Sequence, residues 1–474
     1  IEENLRVLTQ YIKCPLAVRS SSILEDSRIL PFAGIYKTYI APNSNANKDV
    51  CFKQLTDAVK LVYASVFYEA PLRYAQNADI RIEEEKMAVL IQELVGEHYG
   101  DHFYPAISGV AQSYNFYPYY PMKPEDGIVS LALGFGRTIV DGGRVFRFSP
   151  AYPKLNPLVS SSQEQMRKSQ NLFYSVNLKK TADITLSADE NFIYEKVPVN
   201  QAYKDGALDY IGSTYSSEND CIYDNVNYSG LKLITFAPIL KYNRLPLTQI
   251  IQDLMLMGKK AFGSDVEIEF AVNIPEDKNK PAEFNFLQIR PIVVGREAHQ
   301  VNLEERNDTW CFSKQTIGNG YYDNIRDIIY VDPATFDIKD SPQIAREIGE
   351  LNKILVKEGR RCILIGFGRI GTSDRWLGIP LAWEQMSQSL IIVEVDRSDL
   401  RPEPSLGSHF FHNLTATGMG YFHIPFASEQ GEIDWQCLLS QPVLHQTKYV
   451  KLARREDPFI VKIDGRNFQG IIYK

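Results

Sequence analysis

Two short stretches with a period of two, Val266-Glu267-Ile268-Glu269-Phe270-Ala271 and Phe286-Leu287-Gln288-Ile289-Arg290-Pro291, constrain this chain more than any other feature. Alternation of polar and apolar residues marks a β-strand with one face toward a core. On such a strand Glu267 and Glu269 share a face, two carboxylates a few ångströms apart with no cation between them in sequence. Charges that close repel unless something positive lies between them. Magnesium is an economical answer, since it takes carboxylate oxygens while keeping waters and bridging nucleotide phosphates. The second stretch repeats the spacing, so Gln288 and Arg290 also share a face. If the two strands are neighbours, acids, metal, amide and guanidinium converge on one point. The same spacing equally suits a solvated hairpin face with Glu opposite Arg, and the residues alone leave both readings open.

Two other segments share the phosphate-binding theme. In Leu16-Ala17-Val18-Arg19-Ser20-Ser21-Ser22-Ile23-Leu24-Glu25-Asp26-Ser27 an apolar strand delivers an arginine and three hydroxyls into a turn, where phosphate oxygens could sit. Ser22 and Glu25 also have the spacing of a capping box that would simply start a helix. In Leu131-Ala132-Leu133-Gly134-Phe135-Gly136-Arg137-Thr138-Ile139-Val140-Asp141-Gly142-Gly143 a strand enters a glycine-bearing turn. Gly134 and Gly136 would let backbone amides approach an anion, although a plain hairpin has the same glycines.

At 474 residues the chain exceeds one ordinary core, so two or three domains are expected. A net charge of -7 argues against binding nucleic acid by broad phosphate neutralisation, but leaves room for a local basic pocket. No apolar run approaches the roughly 20 residues that cross a bilayer, and no signal-peptide pattern opens the sequence. A soluble, cytoplasmic protein without membrane partners is the expectation. The six cysteines show no metal-ligand or paired spacing, which suits thiols in a reducing compartment. The text begins with Ile1 inside a helical pattern, Glu2 to Ile12, and is expected to continue upstream.

Periodicity predicts a helix over Val50 to Tyr74, a buried strand over Met87 to Val95 and a helix over Leu247 to Phe262. Tyr114 to Pro124, crowded with Tyr and Pro, reads as a loop or an extended arm whose aromatics could bind a ring, with packing on its own domain the expectation. Asp141-Gly142-Gly143 is read as the turn of a hairpin, and Pro157 to Gln170 and Tyr215 to Asn227 as surface excursions. The pattern loosens after Val294 around Glu304 to Asp308, the expected domain boundary.

Together these segments resemble the ATP-binding domain of phosphoenolpyruvate synthase and pyruvate phosphate dikinase, an ATP-grasp relative. Val18 to Gly34 is similar to that family's V-R-S-S-A-x-x-E-D-x-x-x-x-S-F-A-G, the glycine turn to G-L-G-E-x-V-V-x-G, and the two alternating stretches to D-I-E-W-A and L-Q-x-R-P. Three motifs in family order over about the first 295 residues carry more than any one of them. The resemblance implies an α+β fold with two ATP-grasp subdomains, residues 1–110 and 111–300, clasping ATP, followed by a separate α/β domain over 301–474. It implies that Arg19 and Arg290 contact phosphates, Glu267 and Glu269 hold Mg2+, Gln288 positions the transferring group and Gln92 lies beside adenine, with Ser20, Gly134 and Gly136 at the nucleotide. The implied activity is a pyruvate, water dikinase-like phosphoryl transfer toward a histidine relay and pyruvate or a similar small molecule. A phosphohistidine domain on a downstream segment would be the partner, and the chain itself an incomplete piece of the enzyme. A non-catalytic ATP-binding regulatory module is the alternative.

Several positions depart from the family pattern. Arg137 stands where the family has Glu, reversing a charge near the expected phosphates. Ser108-Gly109-Val110-Ala111 begins the family's S-G-V-A-F-T-R-x-P but continues Gln112-Ser113-Tyr114, and an N-terminal lysine is missing. Farther on, Gly366-Phe367-Gly368-Arg369-Ile370-Gly371 spells G-x-G-x-x-G after an apolar run, yet the sequence to Pro380 cannot supply the long helix a dinucleotide site needs, so a structural loop is expected. His409 only faintly resembles the phosphoryl-accepting histidine, and a core or capping role is expected for it.

Overall fold

The two alternating stretches form the edge of a five-stranded antiparallel sheet. In this computed structural model, which describes residues 2–22, 36–69, 71–72, 75, 85–155, 161–277, 279–292, 303, 308–404, 410, 414, 419–465 and 467–474, Glu283–Pro291 pairs with Val266–Asn273. Ile107–Gln112, Ile128–Ala132 and Phe146–Phe148 follow in that order. The chain divides into two units, Ile1–Val140 with Arg144–Ile292, and Asp141–Gly143 with Val293–Lys474.

In the first unit the five-stranded sheet has two unlike faces. Val266, Ile268 and Ile289 point to the side covered by the amphipathic helix Leu247–Phe262, whose Leu247, Ile251, Met255 and Gly258 are buried. Gly258 permits the close approach, because a Cβ there would stand 2.7 Å from Ile289 Cδ1 and 2.9 Å from Val266 Cγ2. The helix ends at Gly263 in the left-handed conformation, φ 66°. Glu267, Glu269, Gln288 and Arg290 occupy the other face.

A separate three-stranded sheet runs Tyr39–Ala41, Leu16–Ser22, Met87–Glu93. The helix Lys48–Ser65, N-capped by the Asn47 side chain, packs beneath it through Leu55, Ala58 and Val62. Tyr194–Pro198, Leu172–Asn177, His102–Tyr104 and Glu97–Tyr99 form a four-stranded sheet, and Cys221–Tyr223, Gly212–Ser216 and Leu231–Ile234 another of three. Helix and strand are mixed throughout, the composition of an α+β domain.

The second unit is built on a mixed ten-stranded sheet. Gly320–Val331, Cys362–Phe367, Ser389–Val395 and Gly420–Ile424 are parallel neighbours, and the helix Ser341–Glu358 makes the crossover between the first two. Cys362 through Phe367 are buried without interruption, the mark of a strand covered on both faces. Antiparallel strands led by the 15-residue Val450–Asp464 complete the sheet. Among the described residues no helix is long and apolar enough to cross a membrane. All six cysteines are free.

Some local expectations change. Thr138-Ile139-Val140, β-branched and read as one arm of a hairpin, lies in the short helix Arg137–Val140, because Ile139 packs on Val110 and Ala132 while the amides of Ile139 and Val140 turn back to the Gly136 carbonyl. Phe146–Phe148 pairs instead with Ile128–Ala132. Ser162–Lys168, inside an expected surface excursion, is a helix capped by Ser161 and tied by a Glu164–Lys168 ion pair. Tyr215 to Asn227 includes a paired strand, Cys221–Tyr223. The Met87–Glu93 strand is half-buried in alternation, not buried throughout. Tyr114 to Pro124 is irregular, with Asn115, Phe116 and Tyr117 buried against the first unit.

Candidate functional site

Register decides which side chains meet. Glu267 is the cross-strand partner of Arg290, and Glu269 of Gln288, so the four residues form a square on one face of the sheet. Arg290 Nε lies 3.4 Å from Glu267 Oε1, and its terminal nitrogen Nη2 donates to Glu269 Oε1. Glu267 Oε2 accepts from Gln112 Nε2 at 2.8 Å. Gln112 is the cross-strand partner of Glu267 on the third strand. Residue exposures of 2% for Glu267 and 9% for Arg290 exclude the solvated hairpin face, since these charges are removed from water and must be paired.

Arg19 reaches this square from the other sheet. It lies in Leu16–Ser22, and its Nη2 donates to Gln288 Oε1 at 2.6 Å across 269 positions of sequence. Its Nη1 donates to Gln92 Oε1 at 3.4 Å. Gln92 pairs with Ala17, two residues from Arg19, so the arginine and the amide share a face of their own sheet. Arg19, Gln92, Gln288, Arg290, Glu267 and Glu269 are thus brought together by direct contact or by strand register.

Other expected site residues sit apart. Ser20 follows Arg19 on the strand and points to the opposite face by alternation. Gly134 and Gly136 lie in the turn beyond Ile128–Ala132, and the Gly134 carbonyl accepts from Ser108 Oγ at 2.7 Å. Ser108, Val110 and Gln112 alternate along the face that bears Glu269, so the turn stands at one end of that face. His409, and the first motif from Ile23 to Gly34, fall outside the described residues. Gln112, which holds Glu267, was not singled out from the sequence. Its position two and four residues after Val110 and Ser108 on an alternating strand is the signal that could have found it.

A donor set of two carboxylates facing an amide oxygen and two guanidiniums suits a polyanion that brings its own hard cation. Among the described residues no three His, Cys, Asp or Glu side chains gather as a metal site. Two protein carboxylates are nevertheless what magnesium commonly takes when nucleotide phosphates and waters supply the rest. Glu269, whose side chain is 19% exposed, is the accessible one, whereas Glu267 has both oxygens occupied by Arg290 and Gln112.

An α+β unit that gathers two arginines, two glutamates and two glutamines from strands of separate sheets has donor chemistry that suits a charged phosphate ligand. The family model described as pyruvate phosphate dikinase, AMP/ATP-binding domain, matches residues 1–309, and the chain belongs to that family. The family's domain binds AMP and ATP, and its members are kinases of the pyruvate phosphate dikinase type.

In the second unit the glycine-rich stretch has a structural role. Gly368 and Gly371 take φ of 68° and 77°, and Arg369–Ile370 between them pairs with Gly378–Ile379. No helix opens after this stretch, and the Ile370 amide donates to the buried Glu394 carboxyl at 2.8 Å.

Proposed function

We propose that the first unit binds ATP with Mg2+ on the face carrying Arg19, Gln288, Arg290, Glu267 and Glu269, and transfers a phosphoryl group in a reaction resembling that of phosphoenolpyruvate synthase. The observation that carries the reading is the 2.6 Å bond from Arg19 to Gln288, which joins the first and last motifs on one surface. Arg19 and Arg290 would neutralise charge developing on the transferring group, and Gln288 would orient it. Gln92, beside Arg19, would line the base. Glu269, with Glu267 behind it, would hold the magnesium, which supplies charge neutralisation across the phosphates. Gly134 and Gly136 would offer backbone amides at the end of the face. The acceptor would be a histidine relay leading to pyruvate or a similar small acid, in the cytoplasm.

The reading is tested by AMP and phosphate release from ATP by the whole chain with magnesium, pyruvate and a supplied phosphohistidine partner domain. Arg19→Ala should lower release by about 10²–10³-fold, and near-UV circular dichroism should stay native because its hydrogen-bond partners, Gln92 and Gln288, are neutral amides. Undiminished release by this variant would reject the site. A second reading, a regulatory module that binds ATP without turnover, is favoured by Arg290 lying between both carboxylates. Calorimetric ATP binding with no release, in a chain supplied with a phosphohistidine partner domain, would select it.

A further inference from the structure

In the second unit the carboxyl ends of two neighbouring parallel strands, Ser389–Val395 and Gly420–Ile424, open on a cleft of about 580 Å³. Ligands of α/β sheets bind outside the carboxyl ends of the strands, and small-molecule sites measure roughly 300–1,000 Å³. Val395 and Ile424, the last residues of the two strands and cross-strand partners, line the cleft together with Phe312, Phe426 and Trp435. Three carboxylates, Asp396, Glu429 and Glu432, line it as well, and among the described residues no lysine, arginine or histidine does.

Contacts outside the cleft hold this lining. Trp435 stacks on Phe367, the last residue of the parallel strand Cys362–Phe367, with ring centroids 5.4 Å apart. Phe312 is the cross-strand partner of Glu432. The Arg401 guanidinium lies over the Phe426 ring at 4.5 Å and that of Arg397 over Phe336 and Phe367, and neither arginine lines the cleft. The Asp396 amide donates to the Ile424 carbonyl at 2.9 Å, which seats the residue at the strand ends. Its side chain is 9% exposed. Oδ1 lies 3.4 Å from His423 Nε2, and Nδ1 of that ring lies 2.6 Å from Gln315 Oε1. Asp396 Oδ2 accepts no hydrogen bond among the described residues. A carboxylate oxygen so far withdrawn from bulk water calls for a donor, and the cleft that Asp396 lines is where one can enter.

The lining selects the charge of its ligand. Carboxylates with no cation beside them repel phosphates and organic acids, which sets the cleft against a second nucleotide or a carboxylic acid. The three acids do not gather closely enough to hold a metal ion, since no such group of three occurs among the described residues. Aromatic faces, in contrast, attract organic cations. We propose that the cleft binds an organic ammonium ion with an apolar or aromatic body, Asp396 pairing with the ammonium group and Phe312, Phe426 and Trp435 contacting the body. The proposal stands apart from the nucleotide reading of the first unit, and either can fail without the other.

The test is calorimetry of the full chain at low salt with three probes that share one body: 2-phenylethylamine, 2-phenylethanol and phenylacetate, which are cationic, neutral and anionic. The amine should bind about 10-fold tighter than the alcohol, and phenylacetate should show no binding. Asp396→Asn should weaken the amine about 10-fold and leave the alcohol within about 2-fold. Phe426→Ala, at a residue 41% exposed, should weaken both. Equal affinity for amine and alcohol, tighter binding of phenylacetate, or an amine affinity that neither substitution moves would overturn the site. So would a wild-type chain that binds none of the three. The comparison of probes on the wild-type chain and the exposed Phe426 carry the test if Asp396→Asn does not fold.

Discussion

Arg290 shows how one side chain can serve both stability and function. It lies between Glu267 and Glu269, so its removal leaves a fully buried carboxylate facing a second one without the intervening cation. Arg290→Ala should therefore destabilise the first unit by about 3–5 kcal/mol, read as a lower urea midpoint, and loss of ATP cleavage by this variant would report unfolding as much as chemistry. A midpoint within experimental error of the wild type would refute the pairing. The period-two spacing announced the four residues, but it could not say whether water, a metal or a guanidinium lay between the acids. Burial excludes water and the contacts of Arg290 supply the guanidinium, and burial depends on the strands and helix around the pair. In the second unit Glu394 makes a parallel case. Burial pushes its carboxyl above the ordinary carboxylate range, although the Ile370 amide and the Tyr421 hydroxyl donate to it. A carboxyl with a higher pKa folded than unfolded binds more protons in the native state between the two values, so its contribution to stability falls as pH climbs above about 4.5. Glu394→Gln, which can accept from Ile370 and donate to Tyr421, should gain denaturant midpoint relative to wild type as pH rises from 4 to 8. A constant difference across that range would contradict the assignment.

Long periodicity placed helices without always bounding them, since the helix expected over Val50 to Tyr74 is Lys48–Ser65, and short periodicity was ambiguous. Leu247–Phe262 has the bounds its spacing predicts, since sixteen residues with one apolar stripe leave no competing pattern. Arg137–Val140 was misread because three β-branched residues favour a strand, while a single contact of Ile139 with Val110 and Ala132 decides for a helical turn. Ser162–Lys168 is set by its cap and ion pair, signals that a seven-residue polar stretch hides. The glycine turn offers a sharper test of local geometry. Gly134 has φ 77°, and a Cβ there would stand 2.6 Å from the Tyr174 carbonyl oxygen. The nearest neighbour of a Cβ at Gly136 is Ser108 Cβ, at 3.6 Å. Gly134→Ala should cost on the order of 2–3 kcal/mol and Gly136→Ala less than about 0.5 kcal/mol, measured by chemical denaturation. Equal costs would mean that the turn is held in some other way.

At the scale of the whole chain, the residues divide into two compact units, and a chain of 474 residues exceeds one ordinary core. What the sequence did not disclose is the second unit's sheet, because its parallel strands read as undifferentiated apolar runs whose order depends on contacts as distant as Gly320–Val331 with Val450–Asp464. The motifs of the proposed nucleotide face all lie in the first unit, and this division has a thermodynamic consequence. A ligand stabilises the folded state it binds by RT ln(1 + [L]/Kd), about 2.7 kcal/mol at a hundredfold excess over Kd. For a unit of this size, whose unfolding entropy is about 0.6 kcal/mol/K, that corresponds to a rise of about 4–5 °C in melting temperature. Scanning calorimetry of the full chain with and without ATP and magnesium should therefore move one component of the transition by that amount, and Arg19→Ala should abolish the shift. The Glu394→Gln substitution, placed in the second unit, should leave the nucleotide-dependent shift intact. If the nucleotide instead moved the component that Glu394→Gln perturbs, the ligand would belong to the ten-stranded sheet, and the Arg19, Gln288 and Arg290 face would lose its claim to it.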